Sequence, residues 1–163
     1  MLDETVLRGA VCGAVVAVAL LAAYYDWRWR RIPNWLTYPA AAVAIGVRLL
    51  LGGAGAATQG AVGLAIAFVI MAALFAGGIM GGGDVKLAAA LGGWIGWQAI
   101  PRALFYMALL GAGLSLAMVA AAHRARSMDG ARDDEELAKV ERRRMTVPYG
   151  VAIAGGAVLA LVL

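Results

Sequence analysis

The segment from Leu49 to Gly83 contains no charged residue. A transmembrane helix needs about 20 mostly apolar residues, so this uncharged stretch is too long for one helix. The Gly52-Gly53-Ala54-Gly55 sequence predicts a turn within it, followed by a span from Ala57 to Ile79. The whole chain is 63% hydrophobic and 15% charged, whereas soluble chains are about 45–50% apolar and about 25% charged. The sequence therefore predicts an integral membrane protein.

Five further apolar stretches have the length of membrane spans, so the predicted fold class is all-α, with six transmembrane helices. These predicted spans are Gly9–Tyr25 (entered from Val6), Asn34–Leu51, Val85–Ile100, Ala103–Ala122 and Val147–Leu163. Pro33 is predicted in the first turn of the second span, where proline is favoured. Arg48 is near the far end of the same span, and we expect its side chain to snorkel to the membrane surface.

Basic residues are concentrated in the first and fifth loops, which predicts that these loops are cytoplasmic and that both termini are periplasmic. They are Arg28, Arg30 and Arg31 in the first loop and Arg124, Arg126, Arg132, Lys139, Arg142, Arg143 and Arg144 in the fifth. The net charge of +4 is thus explained by topology, and no nucleic-acid partner is predicted. The first basic cluster could also contact lipid or substrate. Residues 1–163 are expected to form one transmembrane domain with a cytoplasmic loop at about 123–146.

Two acidic residues border apolar spans on the predicted cytoplasmic side, at similar depth: Asp26 and Asp84. Ionisable residues at membrane depth are costly and usually functional. Asp84 follows Gly81-Gly82-Gly83, and these glycines permit a helix break and close approach by another backbone. Irregular backbone at this depth is tolerated where it is buried or lines a wet cavity. Asp26 lies in an aromatic and basic segment, which could instead be only an interfacial anchor.

If the two carboxyl groups meet, they cannot both ionise, so the pair would share one proton. One carboxylate could then activate a water while its protonated partner polarises a carbonyl group. Other catalytic sets are poorly supported, because His123 is the one histidine and Ser115 and Ser127 lack a partnered His and Asp. One histidine and one cysteine, Cys12, make a zinc site improbable, so no metal or cofactor is expected.

Three separated motifs resemble the type IV prepilin peptidases. They are Asp26 with Ile32-Pro33-Asn34, Gly81-Gly82-Gly83-Asp84-Val85-Lys86, and Pro148-Tyr149-Gly150. The resemblance looks closest to the short branch that serves Flp/Tad-type pili, often called the TadV or CpaA group.

The resemblance implies an aspartic endopeptidase of the bacterial inner membrane, with Asp26 and Asp84 as catalytic pair. Its substrate would be a prepilin, cut after its leader at the cytoplasmic face of the lipid bilayer. The supporting residues would be Gly81, Gly82, Gly83, Lys86, Pro33, Asn34, Pro148 and Gly150. Longer relatives carry a cysteine-rich insert and methylate the new N-terminus. This chain has a single cysteine, so we do not predict methyltransferase activity.

Several alternatives remain open from the sequence. Lys86 could influence the aspartates or grip substrate or lipid phosphate, or it could only snorkel. A small transporter would also need intramembrane acids, but it should show a second, mirrored helix break; a structural scaffold would need neither acid. Paired glycines at a four-residue spacing suit close helix contact, within one bundle or in a homodimer. These pairs are Gly9 and Gly13, Gly78 and Gly82, and Gly92 and Gly96.

Overall fold

The computed structural model describes residues 4–29, 31–128 and 149–162, and the regular structure in these ranges is helical. The helices are α1 (Glu4–Trp29), α2 (Asn34–Ala76), α3 (Gly82–Ile95), a short 3-10 helix (Trp97–Ala99), α4 (Ile100–Met128) and α5 (Tyr149–Val162). The predicted all-α class is therefore confirmed. Pro148 and most of the predicted fifth loop lie outside the described residues.

Three helices in the described part of the chain are long and apolar enough to cross a membrane. They are Arg8–Trp29, Asn34–Ala76 and Trp97–Ala121, while the apolar segment Tyr149–Leu161 is shorter. Large apolar side chains on their outer faces are exposed, among them Leu20, Leu50 and Leu116. Such surfaces are stable against lipid but not against water, so the molecule is a membrane protein.

Helix α2 is interrupted at Gly53, where the backbone has φ 73° and ψ −173°. Only glycine adopts this conformation readily. The Arg48 Nη1 donates a hydrogen bond to the Ala56 carbonyl at 3.3 Å, and a Cβ atom on Gly60 would lie 2.6 Å from Arg48 Cδ. In a continuous helix, residues 48 and 60 would be about 18 Å apart. The chain therefore reverses direction at Gly53, as the glycine-rich sequence predicted.

Helix α3 lies at the centre of the bundle, and every residue from Leu87 to Gly96 is buried. Its closest contact is with residues 54–76 of α2, where Gly63 and Gly92 bring the two backbones together. A Cβ atom on Gly92 would lie 2.7 Å from the Gly63 carbonyl oxygen. Glycine is required at both positions because any side chain would push the helices apart. Gly92 thus packs within the bundle, whereas a Cβ on Gly9 or Gly13 would meet no atom within 4 Å.

The predicted fourth span, Val85–Ile100, was too long at its far end. Helix α3 stops at Ile95, because Gly96 has φ 77° and the next residues form the short 3-10 helix. With 14 residues, α3 is about 21 Å long, less than the hydrocarbon thickness of about 30 Å.

Other helix boundaries also differ from those predicted. Helix α1 continues past Tyr25 to Trp29, so Asp26 lies within its last turns rather than after the helix. The second half of α2 ends at Ala76 rather than Ile79, since Gly77 and Gly78 begin a turn. Helix α4 extends beyond the predicted Ala103–Ala122 at both ends. Pro33 is extended and precedes the first turn of α2 instead of forming part of it.

The predicted snorkelling of Arg48 is wrong. The side chain is only 7% exposed, and its Nε and Nη2 atoms donate to the Trp94 carbonyl at 3.0 and 2.6 Å. The reason is that Gly60 and Gly96 leave room for the side chain inside the bundle. Arg48 thereby bonds a carbonyl of the last turn of α3, where helix carbonyls lack intrahelical partners.

The contact between Gly63 and Gly92 predicts that Gly63→Ala lowers the stability of the bundle. Overpacking of this kind costs about 1–3 kcal/mol, and here the obstacle is backbone rather than a movable side chain. Gly46→Ala is the matched control, since a Cβ atom there meets nothing within 4 Å. Thermal unfolding in detergent should show a lower Tm for Gly63→Ala than for Gly46→Ala. Equal Tm values would contradict the close contact.

The buried position of Arg48 predicts that Arg48→Met is destabilising although it makes the chain more apolar. The substitution removes the donors to the Trp94 and Ala56 carbonyls, and each unsatisfied buried group costs about 1–3 kcal/mol. Thermal unfolding in detergent measures the loss, and Arg102→Met is the control because Arg102 is exposed. A side chain that merely snorkels would give the same small effect at both positions.

Candidate active site

Asp26 continues the buried stripe of α1. The stripe consists of Val11, Val15, Ala19 and Ala22, and the three- and four-residue spacing places Asp26 on the same face. Its side chain is only 7% exposed. The Asp26 Oδ2 atom accepts a hydrogen bond from the Gly150 N–H at 2.9 Å. Gly150 lies in the first turn of α5, where N–H groups lack intrahelical partners and favour negative charge.

Gly150 leaves room for this carboxylate only because it has no side chain. A Cβ atom at this position would lie 2.7 Å from Asp26 Oδ2 and 2.9 Å from Asp26 Cγ. The resemblance placed Gly150 among the supporting residues, and the structure places it in direct contact with Asp26.

Asp84 lies in the first turn of α3. Its Oδ2 atom accepts a hydrogen bond from the backbone N–H of Gly81 at 3.2 Å, which caps the helix that carries it. The predicted break at Gly81–Gly83 is displaced, since Gly82 and Gly83 are helical and the irregular backbone covers residues 77–81. Asp84 is only partly buried, in contrast to Asp26.

The predicted close approach of another backbone occurs at Gly83. A Cβ atom there would lie 3.3 Å from Ile32 Cβ and 3.5 Å from the Ile32 nitrogen. The glycine thus lets the first turn of α3 pack directly against the segment that joins α1 to α2.

Asp26 and Asp84 face one cavity of about 500 Å³. It lies between the end of α1, the α1–α2 connection and the start of α3, and it is lined by Asp26, Arg31, Ile32, Pro33, Asn34, Gly81, Gly82, Gly83 and Asp84. Two carboxyl groups in one cavity can hold a water between them and exchange a proton with it.

The side chain of Lys86 contacts two residues of α2. Its Nζ atom donates a hydrogen bond to Asn34 Oδ1 at 2.9 Å and lies 5.3 Å from the centroid of the Tyr38 ring. Asn34 and Tyr38 are one helical turn apart, so both face α3. The sequence interpretations of Lys86, an influence on the aspartates, a grip on substrate or lipid phosphate, or snorkelling, did not include this contact with α2.

Three residues of this region were absent from the predicted site: Arg31, Ile32 and Tyr38. Arg31 and Ile32 line the cavity. Arg31 belongs to the basic cluster that could contact lipid or substrate, and Ile32 belongs to the first motif, but sequence cannot tell which residues of a connection face inward. Tyr38 was detectable only as the residue four positions after Asn34 on the same helix.

Outside the cavity, the described residues offer little further chemistry. They contain no cluster of three or more His, Cys, Asp or Glu side chains able to hold a metal ion. Trp27 and Trp29 are exposed at the end of α1, as expected of an interfacial aromatic belt. His123 is also exposed, near the end of α4.

Comparison with curated proteins finds short regions of similarity. The chain is 50% identical over 40 residues to a prepilin leader peptidase/N-methyltransferase of Aeromonas hydrophila, covering 24% of this chain and 14% of that protein. It is 49% identical over 37 residues to a protein of the same name from Burkholderia pseudomallei (strain 1026b), covering 23% and 12% respectively. The matched region thus spans about a seventh of the first relative's length. No solved structure gives a significant match.

The sequence profile of the type IV leader peptidase family matches residues 13–116. The matched region is more than half of the chain and contains both Asp26 and Asp84, together with the whole cavity lining. The chain therefore belongs to the type IV leader peptidase family.

Proposed function

We propose that this protein is a prepilin leader peptidase in which Asp26 and Asp84 activate a water to cleave a peptide bond. The observation that carries the proposal is that two carboxyl groups 58 positions apart line one cavity. Each accepts a hydrogen bond from a backbone N–H group at the start of a helix. Family membership supports peptide-bond hydrolysis as the reaction, and the cavity could hold the peptide bond beside both carboxyl groups.

The proposed reaction is acid–base catalysis by a pair that shares one proton. The ionised carboxylate takes a proton from the water as the water oxygen attacks the scissile carbonyl carbon. The protonated partner donates its proton to the carbonyl oxygen. As the resulting diol collapses and its C–N bond breaks, one diol hydroxyl returns a proton to the carboxylate that had donated one, and the proton first taken from the water passes to the departing amine. Asp26 and Asp84 thereby return to their starting protonation.

Substrate access follows from the position of the cavity. It lies where α1 ends and α3 begins, next to the exposed aromatic residues Trp27 and Trp29. Aromatic residues of this kind mark the boundary between lipid and water. A leader that emerges from the bilayer at this level would present its backbone beside the two carboxyl groups and close to water.

The proposal includes six spans, with the break at Gly53 separating the second from the third. Both termini are placed on the periplasmic side and the cavity on the cytoplasmic side of the bacterial inner membrane, because the basic residues Arg28 and Arg31 adjoin it. The three motifs further favour Flp/Tad-type prepilins as substrates. The proposal is confined to leader removal by one transmembrane domain and does not extend to methylation or to dimerisation.

Asp26→Asn and Asp84→Asn are each expected to abolish leader cleavage, because neither variant can share a proton between two carboxyl groups. Loss of a general acid or base costs about 10²–10⁴ in rate, and loss of both roles should exceed that. Cleavage of a Flp-type prepilin by the purified protein in detergent measures the effect, with product identified by the mass of the shortened pilin.

Glu4→Gln is the matched control, since it makes the same carboxylate-to-amide change at the other end of α1. Residues 4 and 26 are about 33 Å apart along the helix axis, so this variant should cleave normally. Normal processing by either aspartate variant would rule out the two-carboxylate mechanism.

Gly150→Ala is expected to lower kcat about 10–100-fold, because the added methyl group displaces the Asp26 carboxylate and misplaced catalytic groups lose rate steeply. Gly13→Ala is the control on α1, since a Cβ atom there meets nothing within 4 Å. Both variants are compared with the parent for kcat and for Tm. An unchanged kcat in Gly150→Ala would show that the Gly150 contact does not hold Asp26 in its active position.

A further inference from the structure

We propose that the Lys86–Asn34 hydrogen bond is a positioning device that fixes the first turn of α3, and with it Asp84, against the start of α2. The assignment rests on the proposed function, because it gives Lys86 a role in aligning the catalytic pair. It makes Lys86 a positioning residue that acts through Asp84 rather than a group that touches substrate.

The geometry joins two helices at the edge of the cavity. Lys86 is two residues after Asp84 on α3, and Asn34 is the first residue of α2 and lines the cavity. The Lys86 Nζ atom donates to Asn34 Oδ1 at 2.9 Å. A hydrogen bond from a charged donor is stronger and more directional than one between neutral groups. The link therefore restrains α3 close to the residue whose placement matters.

Tyr38 supports the same ammonium group from one turn further along α2. Its ring centroid lies 5.3 Å from Lys86 Nζ, within the range of a cation–π contact. These two contacts come from one face of α2. Together they fix the position of Lys86 along the axis of α3 and the rotation of α3 about that axis. A lysine that merely snorkelled would instead direct its ammonium group away from a neighbouring helix.

Such a link is needed because the adjoining contact is made by glycine. Gly81, Gly82 and Gly83 offer no side chains that could interlock with the α1–α2 connection. The packing of Gly83 on Ile32 sets how closely the segments approach, but a smooth glycine surface resists sliding and rotation weakly. The polar link beside it supplies the missing restraint.

Kinetics separate positioning from substrate binding. Lys86→Met and Asn34→Leu should each lower kcat about 10–100-fold, as expected when a catalytic group shifts by about 1 Å, with KM changed less than about threefold. The double variant should be no slower than the slower single variant, because both remove one interaction. Lys86→Arg should restore most of the rate, since arginine can donate to Asn34 and lie over Tyr38.

Disulfide trapping measures the position of α3 and does not require the protein to have peptidase activity. In a Cys12→Ala background, the pair Ile32→Cys and Gly83→Cys places Cβ atoms 3.3 Å apart, close to the separation of about 3.5–4.5 Å in disulfides. The pair Ala44→Cys and Gly93→Cys, with a Cβ separation of 3.4 Å, is the matched control at the other end of α3. Oxidation is followed by mass tagging of the remaining free thiols.

The proposal expects Lys86→Met to slow disulfide formation at 32–83 several-fold and to leave 44–93 unchanged. Unchanged rates at both pairs would overturn it, because α3 would then be held without the link. Slower formation at both pairs would also overturn it, since the lysine would be stabilising the bundle as a whole. A raised KM with unchanged kcat would assign Lys86 to substrate binding instead.

Failure of the proposed function would look different. The parent protein would then cleave no prepilin, while the 32–83 disulfide would still form more slowly in Lys86→Met. The positional assignment and the peptidase assignment are thus tested by separate measurements.

Discussion

Gly63 and Gly92 allow α2 and α3 to approach with backbone against backbone, and this contact holds α3 at the centre of the bundle. In a bilayer, apolar side chains gain little by leaving lipid for protein, so close van der Waals packing between small residues stabilises helix association. A helix packed this tightly can be buried on all sides. Helix α3 is buried from Leu87 to Gly96, whereas its first turn is only partly buried and borders the cavity.

Polar contacts secure both ends of this central helix. Arg48 donates to the Trp94 carbonyl near the end of α3, and Lys86 donates to Asn34 near its start. Both are cations that bond oxygen atoms on neighbouring elements. The Arg48 bonds are buried, and in a low-dielectric environment such bonds are strong and the same groups would be costly if left unpaired. Packing therefore brings the helices together, while these bonds fix the rotation of each helix about its axis and its position along that axis.

The two aspartates make use of helix starts in different ways. Asp84 caps the helix that carries it, through the Gly81 N–H. Asp26 accepts its bond from the start of another helix, through Gly150. Both carboxyl groups thus lie at the starts of helices, where unpartnered N–H groups stabilise negative charge. The cavity between them joins two segments of chain that are far apart in sequence, residues 26–34 and 81–84, which makes its shape sensitive to helix packing.

The sequence alone determined that the chain is helical and embedded in a membrane, because its continuous apolar stretches have the length of membrane-spanning helices. It also located the reversal near Gly53 and the two candidate aspartates, since glycine runs and isolated acids stand out in apolar segments. The tertiary structure alone decided what Arg48, Lys86 and Gly150 contact. Their hydrogen bonds join residues 46, 52 and 124 positions apart. Such pairings depend on helix rotation and on the space left by glycines on neighbouring helices, and no local sequence pattern encodes either.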